Sequence, residues 1–208
     1  MFKKFIAATL VLLCSLSIAV AAEPSSNRYE NLALGLRLTK PDSWRFVTAE
    51  EDTQALQRLE FDSDELKRKI VAHKKPLVIM SQGAELQAGI NPAVKVTLES
   101  FVGLPEPNAE GVLKLAAIGV RQLTDAKIVS LADAEVAGRS AKRMTVDQTI
   151  RTTGGQEYPV TSVVWIVPEG DFYLLVGAAY LRGDQATWEQ IQQTLKTIEW
   201  NSAPVTRG

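Results

Sequence analysis

The fold of this chain is decided by one stretch, VTSVVWIVPEGDFYLLVGAAY, which occupies residues 160–180. Residues 160–167 and 172–180 are apolar at most positions, so neither segment has the polar face of a strand that is half exposed to water. Residues 168–171 (PEGD) are typical of a tight turn. An antiparallel pair tolerates two apolar faces only where both sides of its sheet are covered. The stretch therefore predicts a buried β-hairpin in a sheet that carries other elements on both faces.

Four helices are predicted around this hairpin. The first begins after Thr48, which forms a T-x-x-E capping box with Glu51, and the second begins after Ser63. The third and fourth follow the capping residues Asn108 and Asp184, and their apolar side chains recur at spacings of three and four. These side chains are Val112, Leu115, Ala116, Gly119, Leu123, Trp188, Ile191, Leu195 and Ile198. The third and fourth helices therefore each have one apolar face that packs against the sheet.

The remaining apolar segments alternate with polar residues, as strands with one buried face do. This pattern predicts strands at residues 32–39, 44–46, 94–98, 127–131, 136–144 and 146–150, and the short apolar run at residues 77–80 predicts another. Thr153, Gly154 and Gly155 mark a turn before the buried hairpin. Together these elements predict a single α+β domain over residues 31–200, a largely antiparallel β-sheet of six or more strands with helices on both faces.

The N-terminus has the three parts of a cleavable secretory signal peptide over residues 1–21. Lys3 and Lys4 supply the basic start, residues 5–18 form a mostly apolar run, and residues 19–21 (AVA) form a small-residue cleavage site. The pattern predicts a protein that is periplasmic or secreted after cleavage.

Two other interpretations of this segment fit it less well. An uncleaved membrane anchor needs about twenty apolar residues and no cleavage site. A lipoprotein signal needs a small residue before the acylated cysteine, but Leu13 precedes Cys14. Beyond the signal, the polar residues 22–30 predict a linker, and residues 201–208 predict a flexible tail.

Cleavage after Ala21 would remove Cys14, the only cysteine of the chain, together with Lys3 and Lys4. The mature protein would then form neither a disulfide nor a thiolate metal site. It would carry 21 basic against 24 acidic residues, without the basic stripe of a nucleic-acid-binding protein. We therefore expect no nucleic-acid partner. We also expect a mature chain that does not span a membrane, since its apolar segments are only strand length.

Residues 31–44 (NLALGLRLTKPDSW) resemble the start of Mog1/PsbP-like domains, in which a glycine-bearing strand leads into a Pro-x-x-Trp turn, here Pro41 to Trp44. The order of the later elements is similar over residues 29–199. The resemblance implies an α/β/α sandwich. Members of this superfamily include a nuclear-transport factor that binds a small GTPase, extrinsic photosystem subunits and exported bacterial proteins. Export would exclude the first role, and no matching residues carry a photosystem role to this chain.

The sequence offers little of the chemistry that catalysis or metal binding requires. His73 is the only histidine, which excludes sites that need two imidazoles, and its place near a helix end favours a structural role. The chain has no G-x-S-x-G motif, and no phosphate-binding motif surrounds Gly154 and Gly155. We therefore predict no catalytic, cofactor-binding or metal-binding residues.

Two acidic groups could in principle hold calcium or act as paired carboxylates. They are residues 50–52 (EED) and Asp62, Asp64 and Glu65, and both coincide with predicted helix starts. Carboxylates are favoured there because the helix dipole is positive at its N-terminus, and the spacing of a calcium-binding loop is missing. Both groups are therefore interpreted as helix-capping residues.

Aromatic residues and one loop are the remaining candidates for recognition. Trp44, Trp165 and Trp188 fall on buried faces of predicted elements, whereas Trp200 follows the last helix and is a candidate for exposure. Residues 101–108, stiffened by two prolines, either present a contact surface or simply connect a strand to a helix.

These observations predict an exported soluble accessory protein, not an enzyme, that uses no cofactor and binds another protein or a component of the cell envelope. A small-molecule or lipid carrier is the alternative, and it would need a pocket between the sheet and the helices. A hydrolase with an unfamiliar site is a third option.

Overall fold

A computed structural model describes residues 27–61, 64, 68, 76–82 and 90–200 of the chain. The predicted signal peptide and tail, most of the predicted linker, Cys14 and His73 lie outside the described residues. Of the helix predicted after Ser63, only Asp64 and Arg68 are described, and both are helical.

The described residues form ten strands and three helices. In chain order they are β1 (Arg28–Asn31), β2 (Leu36–Thr39), β3 (Trp44–Phe46), α1 (Ala49–Gln57), β4 (Val78–Gln82), β5 (Ala93–Ser100), α2 (Ala109–Val120), β6 (Ala126–Val136), β7 (Arg139–Arg151), β8 (Glu157–Glu169), β9 (Phe172–Leu181), α3 (Gln185–Lys196) and β10 (Glu199–Trp200). A seven-stranded sheet has the order β3-β4-β5-β9-β8-β7-β6, and a three-stranded sheet has the order β1-β2-β10. All of these pairings are antiparallel.

The hairpin formed by β8 and β9 lies in the interior of the larger sheet, as the apolar stretch at 160–180 predicts. Glu169 pairs with Phe172, so only Gly170 and Asp171 form the turn. Gly170 has φ of +57°, a conformation that a two-residue hairpin turn requires and that glycine adopts without strain. The turn chemistry and the apolar pattern thus specify the same hairpin.

Both faces of the larger sheet are covered, as predicted. On one face, here called the α2 face, α1 and α2 pack on a cluster that includes Met144, Val164 and Ile166. On the other, here called the α3 face, α3 and the three-stranded sheet pack on a cluster that includes Trp165 and Val176. The α+β class and the position of helices on both faces are therefore confirmed, whereas the second sheet was not predicted.

The segment predicted as one strand over 32–39 is instead a turn followed by β2. Leu32 is 76% exposed, and Gly35 has φ of +60°. The Asn31 side chain and backbone carbonyl both accept from the Leu34 N–H, which closes the turn. β2 pairs with β1 on one side and with β10 on the other, so Arg28, Tyr29 and Glu30 of the predicted linker belong to a strand. The sequence pattern did not indicate this turn, because the turn residues Leu32 and Leu34 continue the alternation of the strand residues Leu36 and Leu38.

The helix caps agree with the predictions. Thr48 and Glu51 form a complete capping box at the start of α1. Asn108 accepts from the Gly111 N–H at the start of α2, and Asp184 accepts from the Thr187 N–H at the start of α3. Each cap satisfies a backbone donor that would otherwise lack a partner, which fixes where each helix begins.

Gly111 is expected to resist substitution by alanine although alanine is the better helix former by up to about 1 kcal/mol. An added Cβ would lie 2.2 Å from the carbonyl oxygen of Glu106, so the backbone would have to move. We expect Gly111→Ala to lower the free energy of unfolding by about 1–3 kcal/mol, measured by urea denaturation. Gly154→Ala is the control, since its Cβ would make an ordinary 3.7 Å contact with Thr152. Equal stability of the two variants would contradict the expectation.

Candidate functional site

The acidic group at residues 50–52 has two structural roles. Glu51 accepts from the Thr48 N–H and lies 2.9 Å from the Arg45 guanidinium. Burial opposes ionisation of Glu51, but the Thr48 backbone N–H and the Arg45 charge outweigh it, so the pKa of Glu51 lies below its ordinary value. The capping interpretation is confirmed for Glu51.

Asp52 departs from that interpretation. Its Oδ1 atom lies 2.5 Å from Lys95 Nζ on β5, and both side chains are almost completely buried. The fourth residue of α1 faces the sheet, so its carboxylate compensates a buried lysine instead of the helix dipole. Within the described residues no three histidine, cysteine or acidic side chains are grouped so that they could hold a metal ion.

The tryptophans predicted to lie on buried faces pack inside the fold. Trp44 and Trp165 are buried, and the half-buried Trp188 stacks on Trp165 and Tyr180 with ring centroids 6.1 and 5.5 Å away. Trp200, the candidate for exposure, is buried as well. Trp200 belongs to β10 and is 5% exposed, because β10 pairs with β2 and completes the smaller sheet.

The loop at residues 101–108 packs against the fold at its first residue and is exposed at its second. Phe101 packs on Tyr173 with ring centroids 4.7 Å apart, and its N–H donates to the Asp171 carbonyl. Val102 next to it is 77% exposed. The possible role of this loop as a contact surface stays a prediction, and Val102 provides an exposed apolar reference position.

A cleft that sequence patterns did not predict lies between α2 and the β6–β7 hairpin on the α2 face. This α2 cleft has a volume of about 420 Å³, and Ile118, Arg121, Leu131, Asp133 and Lys142 are among its lining residues. Ile118 is 40% exposed and Leu131 is 47% exposed, so two large apolar side chains face water in the same depression. Exposed apolar side chains that cluster in this way mark interaction surfaces more often than scattered ones do.

Charged side chains surround these two apolar residues. Lys142 lies 2.5 Å from Asp133 and 3.2 Å from Glu110, and these hydrogen bonds raise the pKa of Lys142. Arg121, in contrast, makes no ion pair with the described residues. The α2 cleft therefore has an apolar centre and a rim whose charges are largely paired, with Arg121 as a lining cation that forms no ion pair with the described residues.

The β6 strand lies at the edge of the larger sheet, but its backbone is a poor template for another strand. The register shifts between Ile128 and Ser130, and such a bulge bends and twists a strand. Lys127, Asp133 and Glu135 on β6 are exposed, and charges on an edge strand hinder pairing with another chain. The bulge and the charges of β6 therefore disfavour extension of the sheet by another strand.

No helix among the described residues has the length and apolar character needed to cross a membrane. No protein-family model matches the sequence, and no curated protein matches it either.

Solved structures share the fold. A protein from Bacteroides thetaiotaomicron aligns with 85% of this chain at a TM-score of 0.51 and 8% identity, and this chain spans only 49% of that protein. The Ran-binding protein Mog1p of Saccharomyces cerevisiae aligns with 83% of this chain and 94% of its own at a TM-score of 0.49 and 8% identity. The PsbP protein of the cyanobacterium Synechocystis aligns with 88% of this chain and 98% of its own at a TM-score of 0.46 and 10% identity.

At these identities the likeness concerns the fold alone and carries no function. The chain has an α+β fold, a seven-stranded antiparallel sheet with helices on both faces together with a small second sheet, and the Mog1p and PsbP structures are similar to it.

Proposed function

We propose that this chain is a non-enzymatic accessory protein that acts after export and binds another protein through the α2 cleft. The observation that carries the proposal is the exposure of Ile118 and Leu131 in one depression, inside a ring of charged side chains. Protein interfaces commonly have this anatomy, with an apolar centre that excludes water and a polar rim. Contact between apolar side chains and water is unfavourable, and a partner that covers these side chains removes that contact.

The charges of the α2 cleft indicate the chemistry of the partner. Lys142 is already neutralised by Asp133 and Glu110, so it has little to offer a further carboxylate. Arg121 at the end of α2 has no such counter-charge among the described residues. The partner should therefore present an apolar side chain to Ile118 and Leu131, with an acidic residue beside it that reaches Arg121.

The carrier alternative has a different requirement. A lipid carrier encloses most of the surface of its ligand in an apolar cavity. The α2 cleft is open and its rim is charged, which favours a protein contact over an enclosed lipid.

Leu131→Asp and Ile118→Asp test the proposal. Each places a carboxylate at the apolar centre, and a central interface residue is worth about 2 kcal/mol or more, so we expect partner binding to weaken by about thirtyfold. The measurement is crosslinking in intact cells, followed by mass spectrometry of the recovered complexes. Both positions are exposed, so we expect the free energy of unfolding to change by less than about 0.5 kcal/mol.

Val102→Asp is the matched control, because Val102 is an exposed apolar residue outside the α2 cleft. It should leave the crosslinked complex unchanged. Loss of the same complex in all three variants, or in none, would count against the α2 cleft as the binding surface.

A further inference from the structure

A second cleft lies on the α3 face of the β6–β7 hairpin. This α3 cleft has a volume of about 550 Å³, and its lining includes Arg143, Trp165, Gln192, Leu195 and Lys196. Every lining residue belongs to the described part of the chain. The volume lies within the range of sites that hold small molecules.

Arg143 is the unusual group in the α3 cleft. It is half-buried, its Nε atom is buried without a hydrogen-bond acceptor, and among the described residues no carboxylate forms an ion pair with it. A cation that is partly removed from water is unfavourable unless a counter-charge or acceptors compensate it. Lys196 at the end of α3 lines the same cleft and adds a second positive charge. The positive charge in this cleft is therefore available to a ligand.

The two acidic residues that border the α3 cleft do not supply the missing counter-charge. Asp133 points to the α2 face, where it binds Lys142. Successive side chains of a strand point to opposite faces, so Glu135 lies on the same face as Asp133. The intervening Ala134 and the following Val136 belong to the apolar cluster of the α3 face. Strand geometry thus separates both carboxylates from Arg143.

We propose that the α3 cleft binds a small carboxylate that carries an apolar or aromatic body. A planar carboxylate matches the geometry of the Arg143 guanidinium and neutralises its charge. The apolar body would lie along the side of the cleft formed by Trp165 and Leu195. This site is on the opposite face of the hairpin from the α2 cleft and does not depend on the proposed protein partner.

Benzoate and benzamide provide a matched pair of probes, since they share a shape and differ in charge. Binding is followed in the purified protein by calorimetric titration and by the NMR signal of the Trp165 indole. We expect benzoate to bind saturably and benzamide not to bind. Arg143→Met should weaken benzoate binding by about tenfold or more, because it removes a charge-assisted hydrogen bond. Arg143→Lys keeps the positive charge but lacks the planar guanidinium. Its affinity for benzoate should therefore lie between that of the unmodified protein and that of Arg143→Met.

Arg121→Met is the control, since Arg121 borders the α2 cleft and should leave benzoate binding unchanged. Thermal unfolding of each variant establishes that it is folded. The proposal would be overturned if the folded protein showed no saturable binding of benzoate, if benzamide bound equally well, or if Arg143→Met bound benzoate as the unmodified protein does. Leu131→Asp separates the two proposals, because it should weaken protein crosslinking and leave benzoate binding intact.

Discussion

Asp52→Asn is expected to lower the free energy of unfolding by about 3–5 kcal/mol, a large part of the stability of an ordinary domain. Asp52 Oδ1 lies 2.5 Å from Lys95 Nζ, and each side chain is only 9% exposed. Asparagine keeps the shape of the side chain but removes its charge, so the Lys95 ammonium loses its carboxylate where little water can replace it. Urea denaturation followed by tryptophan fluorescence measures the loss.

The exposed pair between Lys114 and Glu106 is the matched control. Its two charged atoms lie 2.9 Å apart, but both side chains are more than half exposed. Glu106→Gln should therefore cost less than about 1 kcal/mol. The double variant Asp52→Asn, Lys95→Met should recover part of the loss, since it removes the unpaired charge. If Asp52→Asn cost no more than Glu106→Gln, the buried pair would not have the role inferred for it.

Trp44→Ala is expected to destabilise the domain by about 3–5 kcal/mol. Trp44 is 2% exposed and belongs to the cluster of the α3 face, where truncation leaves a cavity that the surrounding side chains cannot fill. Its Nε1–H also donates to Gln190 Oε1 on α3 at 2.7 Å. The substitution therefore removes both buried apolar surface and a link between β3 and α3. Thermal and urea unfolding measure its effect.

Gln190→Ala separates these two contributions. It removes the hydrogen bond and leaves the indole in place, so we expect a cost of about 1 kcal/mol. Trp44→Phe should retain most of the packing and cost less than Trp44→Ala. A loss in Gln190→Ala as large as that in Trp44→Ala would show that the hydrogen bond, not packing, dominates at this position.

Sequence patterns predicted those parts of the fold that depend on local chemistry. The caps at Thr48, Asn108 and Asp184 and the turn at Gly170 each require particular side chains at particular places, and all four lie as predicted. The buried character of β8 and β9 was equally clear, because both faces of both strands are apolar.

Features that depend on pairing between distant segments were not predictable in this way. Trp200 is buried because β10 pairs with β2, and nothing in the two-residue strand itself indicates that contact. Asp52 has the sequence position of a helix-start carboxylate, and its partner Lys95 lies far along the chain on β5. Local pattern and tertiary environment favour different interpretations at such positions, and tertiary environment prevails.

The two clefts were not predictable from the sequence for the same reason. Leu131 belongs to an alternating strand and Ile118 to an amphipathic helix, and each pattern is ordinary when considered alone. Their exposure becomes apparent only when α2 and β6 lie side by side. Arg143 is one of 23 basic residues, and only its half-buried position without a carboxylate partner among the described residues distinguishes it.

Site-specific photocrosslinking in intact cells tests the central proposal most directly. A photoreactive amino acid is placed at Leu131, at Ile118 and, as reference, at Val102, three exposed apolar positions of which only the first two line the α2 cleft. We predict that Leu131 and Ile118 form an adduct with the same protein, that Val102 does not, and that Arg121→Glu diminishes the adduct. Adducts of equal yield at all three positions, or none at Leu131 and Ile118, would contradict the proposed function.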